Sequence, residues 1–514
     1  MGECLEIVGQ DDAASPCLVD VGGLDGIGGA MPSASMKRQA LIAALWSGGD
    51  ALARHGVQFA TTLVLARLLT PADFGLMAML AVFIGIAGVL ADGGFSVALI
   101  QRLDVDHVDE STVFWCNLAL GGVLATGLFT AAPWLADFYG EPRLRDVARV
   151  MALVVVAGAA MGVQAALLAR QLDFKTQALA GGLAAVVAGS ASIAMALQGY
   201  GVWALVVQAV AMSVLNCLLL WCFSQWRPAV VFSLASIRKL VGFSGYHLAS
   251  TLLETAYSRL FGLLAGKRFG ASAAGYYANA ENTRQLPASL IGVVVTRIAI
   301  PVFARVQGEP DKMRRGLQLA NRAMMLVYAP MMLALIALAE PIVELLYGRQ
   351  WLPAVAPLQV LALAGLLYPL HMVNLHALIA GGHARKMFKV ELAKKASGIL
   401  FLAVGASFGL MGLAWSQVVH SLVALTINTH YAGKWFDYGA FRQLRDVAPV
   451  VLVAGVVFPV AGYAASAWKV SGVMETTAML SLGVAMYSGL ILLLRLEVGN
   501  EALGLLASLR KEPG

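Results

Sequence analysis

The chain has 514 residues, of which 59% are hydrophobic and only 13% charged, and its mean hydropathy is +0.76. Soluble domains carry about 25% charged residues, so this composition excludes a water-soluble protein of this size. It predicts an all-α, polytopic membrane protein. The net charge of +6 requires no nucleic-acid partner, because cations gathered in the loops of one membrane face account for it.

Residues 1–35 differ from the rest of the chain. They contain six acidic residues and no Lys or Arg, and they lack the basic start and apolar stretch of a signal peptide. Two interpretations stay open: a disordered N-terminal extension, or a misassigned start with translation beginning at Met31 or Met36.

Long apolar runs follow in sequence. A helix needs about 20 apolar residues to cross the hydrocarbon, and the chain has about fourteen such runs. The predicted spans are 42–66, 75–97, 113–136, 147–168, 177–198, 201–223, 245–266, 280–304, 318–339, 355–379, 396–412, 413–432, 447–467 and 476–495.

Most Lys and Arg residues lie on the N-terminal side of the membrane in this arrangement. The positive-inside rule therefore predicts that both termini are cytoplasmic in a bacterial inner membrane. The same arrangement places Lys394 and Lys395 in a cytoplasmic loop before the span 396–412.

The chain repeats itself in outline about 200 residues later. Arg67 and Gly75 recur as Lys267 and Gly275 at an offset of 200, and PWLADFYG at 133–140 recurs as PIVELLYG at 341–348 at an offset of 208. Duplicated membrane bundles are typical of transporters, with the substrate site between the halves. We predict two pseudo-symmetric six-helix lobes, at 37–224 and 245–433. A cytoplasmic linker at 225–244 joins them, and two extra helices at 446–496, predicted to be peripheral to transport, precede a cytoplasmic tail at 497–514.

Several chemistries lack a sequence signal. No GxxxxGK[ST] phosphate loop is present, so hydrolysis of ATP by that route is excluded. The five cysteines form no CxxC or Cys/His cluster, and we assign no disulfide, metal site or cofactor. The predicted outer loops are too short for the extramembrane domain that a membrane-embedded polymerase or ligase generally needs.

Four stretches resemble a known family. LVLARLLTPADFGLMAM and FSVALIQR in the first half, with GYYANAENTRQLPASLIG and RIAIPVFARVQ in the second, are similar to Wzx-type polysaccharide flippases of the colanic-acid-exporter kind. The resemblance covers about residues 37 to 470. Ala278 and Asn279 depart from it, because relatives often carry a basic residue there.

The resemblance implies a fold and a function. The superfamily also contains multidrug and toxin extrusion transporters and lipid II flippases. It implies a V-shaped pair of six-helix lobes that moves an undecaprenyl-diphosphate-linked oligosaccharide from the inner to the outer leaflet, for exopolysaccharide or O-antigen biosynthesis. It also implies polysaccharide polymerase and chain-length proteins as partners.

Ionisable residues inside the spans are candidate site residues. An arginine at the bilayer centre costs about 2.5–3.5 kcal/mol, so such residues face a watery cavity or a partner. Guanidinium groups bind phosphate well. We therefore expect Arg54, Arg259, Arg284 and Arg297 to bind the substrate diphosphate, and Asp50, Glu254 and Glu281 to couple transport to H⁺ or Na⁺.

Structural roles remain as alternatives. Asp50 with Arg54, and Glu281 with Arg284, have helical spacing and could simply satisfy each other. Arg297 could instead snorkel to the cytoplasmic face. His371, His376 and His420 are expected to form interhelical hydrogen bonds rather than a proton relay.

Movement requires a hinge and a gate. Pro287 and Pro301 would let the eighth span bend. The offset of 200 relates Arg54 to Glu254, so we predict that these two residues pair across the cavity as a gate. Two other functions stay open: an ion-coupled multidrug antiporter of the same fold, and a membrane-embedded polysaccharide polymerase or ligase.

Overall fold

Helices make up the regular secondary structure of the described residues. The computed structural model describes residues 56–102, 104–294, 303, 306, 308–380, 384–468 and 472–494. The helices are α1 Gly56–Leu68, α2 Pro71–Asp92, α3 Phe95–Gln101, α4 His107–Tyr139, α5 Leu144–Arg170, α6 Phe174–Leu197, α7 Val202–Phe223, α8 Leu234–Val294, α9 Pro310–Ala337, α10 Ala339–Tyr347, α11 Val355–Gly365, α12 Tyr368–Ala380, α13 Ala384–Gly405, α14 Gly409–Phe436, α15 Ala440–Ala467 and α16 Val473–Leu493. Short 3-10 turns at Arg349–Ala354 and Ala406–Phe408 precede α11 and α14.

Local sequence fixes where α2 and α4 begin. The Thr70 hydroxyl accepts a hydrogen bond from the backbone N–H of Asp73, whose carboxylate accepts one from the backbone N–H of Thr70. Asp106 and Asp109 form the same arrangement before α4. Such capping boxes satisfy N–H groups of the first turn, which have no partner inside the helix.

Ten helices or helical runs of the described chain are long and apolar enough to cross a membrane. One of them, Val390–Phe436, has 47 residues, which would span about 70 Å as one straight helix. The hydrocarbon is only about 30 Å thick. The 3-10 turn at 406–408 divides this run into α13 and α14, which pack against each other. This run therefore consists of two packed helices and not of one long one.

α8 is also folded back on itself. Its 61 residues bend at Gly270, where φ is 83°, a left-handed conformation that glycine adopts without strain. Phe261 and Tyr277, one from each arm, stack with ring centroids 6.3 Å apart. The arms at 234–269 and 271–294 contain most of the predicted spans 245–266 and 280–304.

Apolar side chains cover the outside of the bundle. On α15, Leu452, Val456 and Tyr463 are 67%, 63% and 77% exposed, and α6 presents a similar row that includes Leu183 and Val187. Exposed apolar surfaces of this extent are unfavourable in water. They are the surfaces that a multi-pass protein turns to lipid.

Buried polar contacts fix α15 to the helices before it. Asn374 and Gln443 are fully buried and exchange side-chain hydrogen bonds of 2.8 and 2.9 Å. Asp446 pairs with Arg322 of α9 at 3.1 Å. A Cβ on Gly462 would lie 2.6 Å from the carbonyl oxygen of Ala337. α15 is thus an integral part of the bundle, so the peripheral role predicted for it concerns transport alone.

Candidate transport site

α2 and the second arm of α8 cross with their backbones in contact, at the face that the charge distribution predicts to be outer. A Cβ on Gly75 would collide with the carbonyl oxygen of Ala271, and a Cβ on Gly275 with that of Pro71. The two contacts are equivalent by the sequence repeat, because an offset of 200 relates Gly75 to Gly275 and Pro71 to Ala271. Neither position accepts a side chain without separating the helices.

Two cations bridge the same junction between the N-terminal half, α1–α7, and the C-terminal half, α8–α14. Arg67 donates from Nε to the carbonyl oxygen of Leu346 at 3.3 Å, and also to that of Leu345. Lys267 donates to the carbonyl oxygen of Phe138. Phe138 and Leu346 are related by the offset of 208. Each half therefore supplies a cation to the last-turn carbonyls of the corresponding helix in the other half.

The 3-10 turn before α11 closes the rest of this face. Gln350 donates from Nε2 to the carbonyl oxygens of Ala66 and Leu69 at 2.8 and 3.0 Å. The fully buried Trp351 donates from Nε1 to the Ala66 carbonyl at 2.7 Å. The two halves are therefore closed against each other at the predicted outer face.

The first turns of α8 contact the N-terminal half again at the opposite, predicted inner face. Lys239 Nζ lies 2.9 Å from Asp109 Oδ2 and 3.3 Å from Asp104 Oδ2. The hydrogen bond from Lys239 lowers the pKa of the Asp104 carboxyl group. Further along α8, a cleft between α2 and α8 is lined by residues that include Asp92 and His247.

An ion pair joins α8 to α13. Lys395 Nζ lies 2.6 Å from Glu254 Oε2, and the side chains are 11% and 64% exposed, respectively. The sequence predicted a loop at Lys395, and the structure instead places Lys395 halfway along α13, which begins at Ala384. Its predicted cytoplasmic side stays a prediction. The neutralising carboxylate is 141 residues away in sequence, so no local window of sequence could identify the pair.

A second ion pair lies on the second arm of α8. Arg284 donates from Nε to Glu281 Oε2 at 3.0 Å and from Nη2 to Glu281 Oε1 at 2.5 Å. The two side chains are 13% and 25% exposed. This is the i,i+3 pairing that the sequence left as the alternative to substrate binding. Forked guanidinium–carboxylate pairs of this kind hold both groups in one geometry.

Small and aromatic residues surround Arg284. A Cβ on Gly365 of α11 would lie 3.1 Å from Arg284 Nη1. The buried Tyr277 accepts a hydrogen bond from Gln417 Nε2 at 2.5 Å. Tyr328 is fully buried, and its hydroxyl has no hydrogen-bond partner among the described residues. The guanidinium thus lies in a tyrosine-rich pocket within the C-terminal half.

The remaining predicted site residues fall into two groups. Arg259 is exposed on the first arm of α8 and makes no hydrogen bond or ion pair with another described side chain. Asp50, Arg54 and Arg297 lie outside the described residues, as does Pro301. The predicted pairing of Glu254 with Arg54 therefore stays a prediction, while the partner that the structure gives Glu254 is Lys395.

A buried polar network that the sequence did not predict connects α12, α13 and α14. Lys394 is 8% exposed, forms an ion pair with Glu391, and donates to Asn428 Oδ1 at 3.1 Å. The Asn428 amide nitrogen lies 3.4 Å from His371 Nδ1, and His371 Nε2 lies 3.2 Å from Ser421 Oγ. His371 thus makes the predicted interhelical hydrogen bonds. His376 and His420 each have a ring nitrogen without a partner in the described chain.

The fold is that of polytopic transporters. A lipid II flippase, MurJ, in an inward closed conformation matches 86% of this chain and 97% of its own length, with a TM-score of 0.67 and 12% identity. An inward-facing multidrug resistance transporter of the MATE family matches 76% of this chain and all of its own, with a TM-score of 0.58 and 16% identity.

Sequence comparison defines the family. Residues 64–356 match the family described as polysaccharide biosynthesis protein, and the chain belongs to it. The succinoglycan biosynthesis transport protein ExoT of Rhizobium meliloti is 27% identical over 87% of this chain and 92% of its own. The lipopolysaccharide biosynthesis protein WzxC of Escherichia coli is 26% identical over 77% of this chain and 80% of its own. This is a family of transport proteins and not of enzymes.

Proposed function

We propose that the chain flips an undecaprenyl-diphosphate-linked oligosaccharide repeat unit from the inner to the outer leaflet of the bacterial cytoplasmic membrane by alternating access. The observation that carries this proposal is the placement of Arg284 and Lys395 well inside helices of the C-terminal half, each held by a carboxylate. Paired cations of this kind can exchange a carboxylate for a phosphate, since both are oxyanions that a guanidinium or an ammonium group binds.

The proposed architecture has fourteen spans in two six-helix lobes, at 37–224 and 245–433, followed by two extra helices at 446–496. The reciprocal contacts of Gly75 with Ala271 and of Gly275 with Pro71 support a pseudo-twofold relation between the lobes. The folded-back α8 and the run Val390–Phe436 support counting two crossings in each. Both termini are then cytoplasmic.

Within this proposal Arg284 and Arg259 bind the diphosphate, with Arg54 and Arg297 in the same role. We add Lys395 to this set because of its ion pair with Glu254. Glu254 and Glu281 exchange an ion when their cations turn to phosphate, and Asp50 completes the carboxylates proposed for coupling. Polymerase and chain-length proteins are the proposed partners that receive the flipped unit.

Reconstitution tests the proposed function directly. Full-length protein is incorporated into liposomes that carry a fluorescent undecaprenyl-diphosphate oligosaccharide, and translocation is read as a change in its protection from an external glycosidase. We expect protein-dependent translocation that Arg284→Ala reduces by about 100-fold. The matched control is Arg349→Ala, which removes an arginine whose side chain is 83% exposed and paired with Glu344, away from the proposed cavity.

Two results would contradict the proposal. Absence of translocation by well-folded protein, together with efflux of a drug cation, would favour the multidrug antiporter. Equal loss in Arg284→Ala and Arg349→Ala would mean that removal of any paired arginine impairs the protein, and the cavity would lose its special role.

A further inference from the structure

The hydrogen-bond network around Asn428 has a fixed donor direction. Lys394 can only donate, so the Asn428 oxygen faces it and the Asn428 nitrogen faces His371 Nδ1. At the far end Ser421 donates its single hydroxyl hydrogen to the carbonyl oxygen of Ala364 at 2.9 Å. The hydroxyl must therefore accept from His371 Nε2.

These constraints fix the protonation state of His371. Its Nε2 carries the hydrogen and its Nδ1 accepts from Asn428, so the ring is neutral. Each donor in the network, from Lys394 through Asn428 and His371 to Ser421, points away from the lysine. The network therefore holds one positive charge, on Lys394, opposite the carboxylate of Glu391.

A second proton cannot be added to the His371 ring without reversing this order of donors and acceptors. A proton on Nδ1 makes both ring nitrogens donors, so Asn428 has to rotate its amide by half a turn to offer its oxygen to the ring. The amide nitrogen then faces Lys394, and two donors oppose each other. A charged His371 and the hydrogen bond between Lys394 and Asn428 exclude one another.

We propose that His371 is a proton-binding site that couples proton movement to transport, through the alternative hydrogen bonding of Asn428. The link to transport rests on the proposed function, while the site itself does not. A proton is the ligand that fits, because the Lys394 ammonium already occupies the position beside the Asn428 and Glu391 oxygens that another cation would need.

The groups around His371 are consistent with this role. Among the described residues, α13 contributes Lys394 and α14 contributes His420, and both groups act electrostatically on the His371 ring. α9 and α8 bring Tyr328 and Arg284 towards Tyr368, which lies three residues before His371 on α12. Lys394 shares Asn428 with His371, so movement of Lys394 away from Asn428 favours the protonated ring.

Adjacent lysines connect this site to the ion pair between α13 and α8. Lys394 faces Asn428 on α14, while Lys395, the next residue, pairs with Glu254 on α8. When Lys394 loses its hydrogen bond to Asn428, α13 can move against α14, and Lys395 moves with α13. Proton binding at His371 thereby changes the ion pair that the proposed substrate competes for.

Nitrogen NMR of ¹⁵N-histidine-labelled full-length protein in nanodiscs tests the site without any substrate. The ring signals missing in His371→Gln, and independently in His371→Asn, identify His371. We expect a neutral ring protonated at Nε2 at high pH that becomes charged as pH falls. Asn428→Asp should move the midpoint to higher pH by about 1–3 units, the usual effect of a neighbouring opposite charge. His376→Asn, on the same helix, should not move it.

A ring that carries its hydrogen on Nδ1, or a midpoint that Asn428→Asp leaves unchanged, would overturn the site. Transport provides the second arm, in liposomes that contain the fluorescent lipid-linked oligosaccharide and a pH difference across the membrane. We expect the pH difference to change the flipping rate of the unmodified protein and of His376→Asn, and to leave that of His371→Gln unchanged. A full response in His371→Gln would overturn the coupling. If no protein flips the lipid but the NMR result holds, the proposed function fails and the proton site stands.

Discussion

The two halves of the bundle bury polar side chains in different ways. In the described part of the N-terminal half, the buried polar residues well away from the helix ends are neutral, such as Asn117, Gln164 and Ser192. Ser192 satisfies its hydroxyl on the Gly189 carbonyl of its own helix, at 2.8 Å. The C-terminal half also buries neutral residues, such as Asn374 and Asn428, but it adds a buried charged residue, Lys394, which is paired with Glu391. Lys395 is paired with Glu254 and is 11% exposed.

This difference indicates that the two halves have different roles in transport. A neutral group bonded within its own helix keeps its partner whatever the neighbouring helices do. An ion pair between helices can exchange partners when a substrate or a proton arrives, while a buried charge left unpaired is strongly destabilising. We therefore assign substrate and proton response to the C-terminal half, and a supporting role to the described N-terminal helices.

Arg284→Ala should give the largest loss of flipping activity and so the clearest difference between the two halves. It removes the guanidinium from the tyrosine-rich pocket and leaves Glu281 unpaired. We expect flipping in liposomes to fall by about 100-fold, which corresponds to about 2.7 kcal/mol in activation free energy. Asn117→Ala, in the N-terminal half, should flip close to the normal rate. Similar losses in both folded variants would remove the distinction between the halves.

Gly75→Val and Gly275→Val should have equal effects, unlike variants at the ion pairs, because both halves contribute equally to the closed face. Each added side chain collides with a backbone carbonyl, and overpacking costs about 1–3 kcal/mol. We expect each variant to increase labelling of a cysteine at Leu69 by an impermeant maleimide. Gly127→Val, with no atom within 4 Å of the new Cβ, is the control. Unequal effects at the two glycines would argue against a reciprocal junction.

A charge swap between Glu254 and Lys395 should show whether their ion pair takes part in transport. Glu254→Lys and Lys395→Glu should each reduce flipping, and the double swap should recover part of it, with a coupling energy of about 0.5–3 kcal/mol. Recovery by Arg54→Glu with Glu254→Arg instead would identify Arg54 as the partner that matters for transport. No recovery in either pair would remove Glu254 from the mechanism.

The smallest effect is expected at the surface contact between the halves. The hydrogen bond from Lys239 lowers the pKa of the Asp104 carboxyl group. The charged carboxylate therefore stabilises the folded state at pH values above the usual carboxyl pKa of 3.8. This contribution is lost as pH falls through the lowered value. The Tm difference between the unmodified protein and Asp104→Asn should thus be constant from neutral pH to about pH 5 and shrink below about pH 4. A constant difference down to pH 2 would contradict the assignment.

Apolar length predicted most of the long helices but not the polar contacts between them. The predicted span 113–136 lies within α4, His107–Tyr139, because hydrophobic runs report directly on lipid exposure. The span at 396–412 began too late because Lys394 and Lys395 resemble loop residues in any local window. Their partners lie on α8 and α14, and contacts between helices distant in sequence leave no local signal.

The repeat was more informative than hydropathy. The offsets of 200 and 208, found from weak matches, identify the residues that exchange partners across the closed face, including Lys267 with Phe138 and Arg67 with Leu346. Sequence alone could not show that these residues touch. The duplicated positions are predictable because symmetry preserves spacing, whereas the His371 network has no counterpart among the described helices of the first half.

The glycine crossing of α2 and α8 also limits how the halves can move. Pro71 and Met79 lie one turn before and after Gly75, on the same helix face, and Ala271 and Asn279 flank Gly275 in the same way. Sliding either helix by one turn would therefore bring a side chain against the opposing backbone. Shear along the helix axes is therefore blocked. The halves can part only by swinging away from each other, as in a hinge motion, and they must return to the same register each time the face closes.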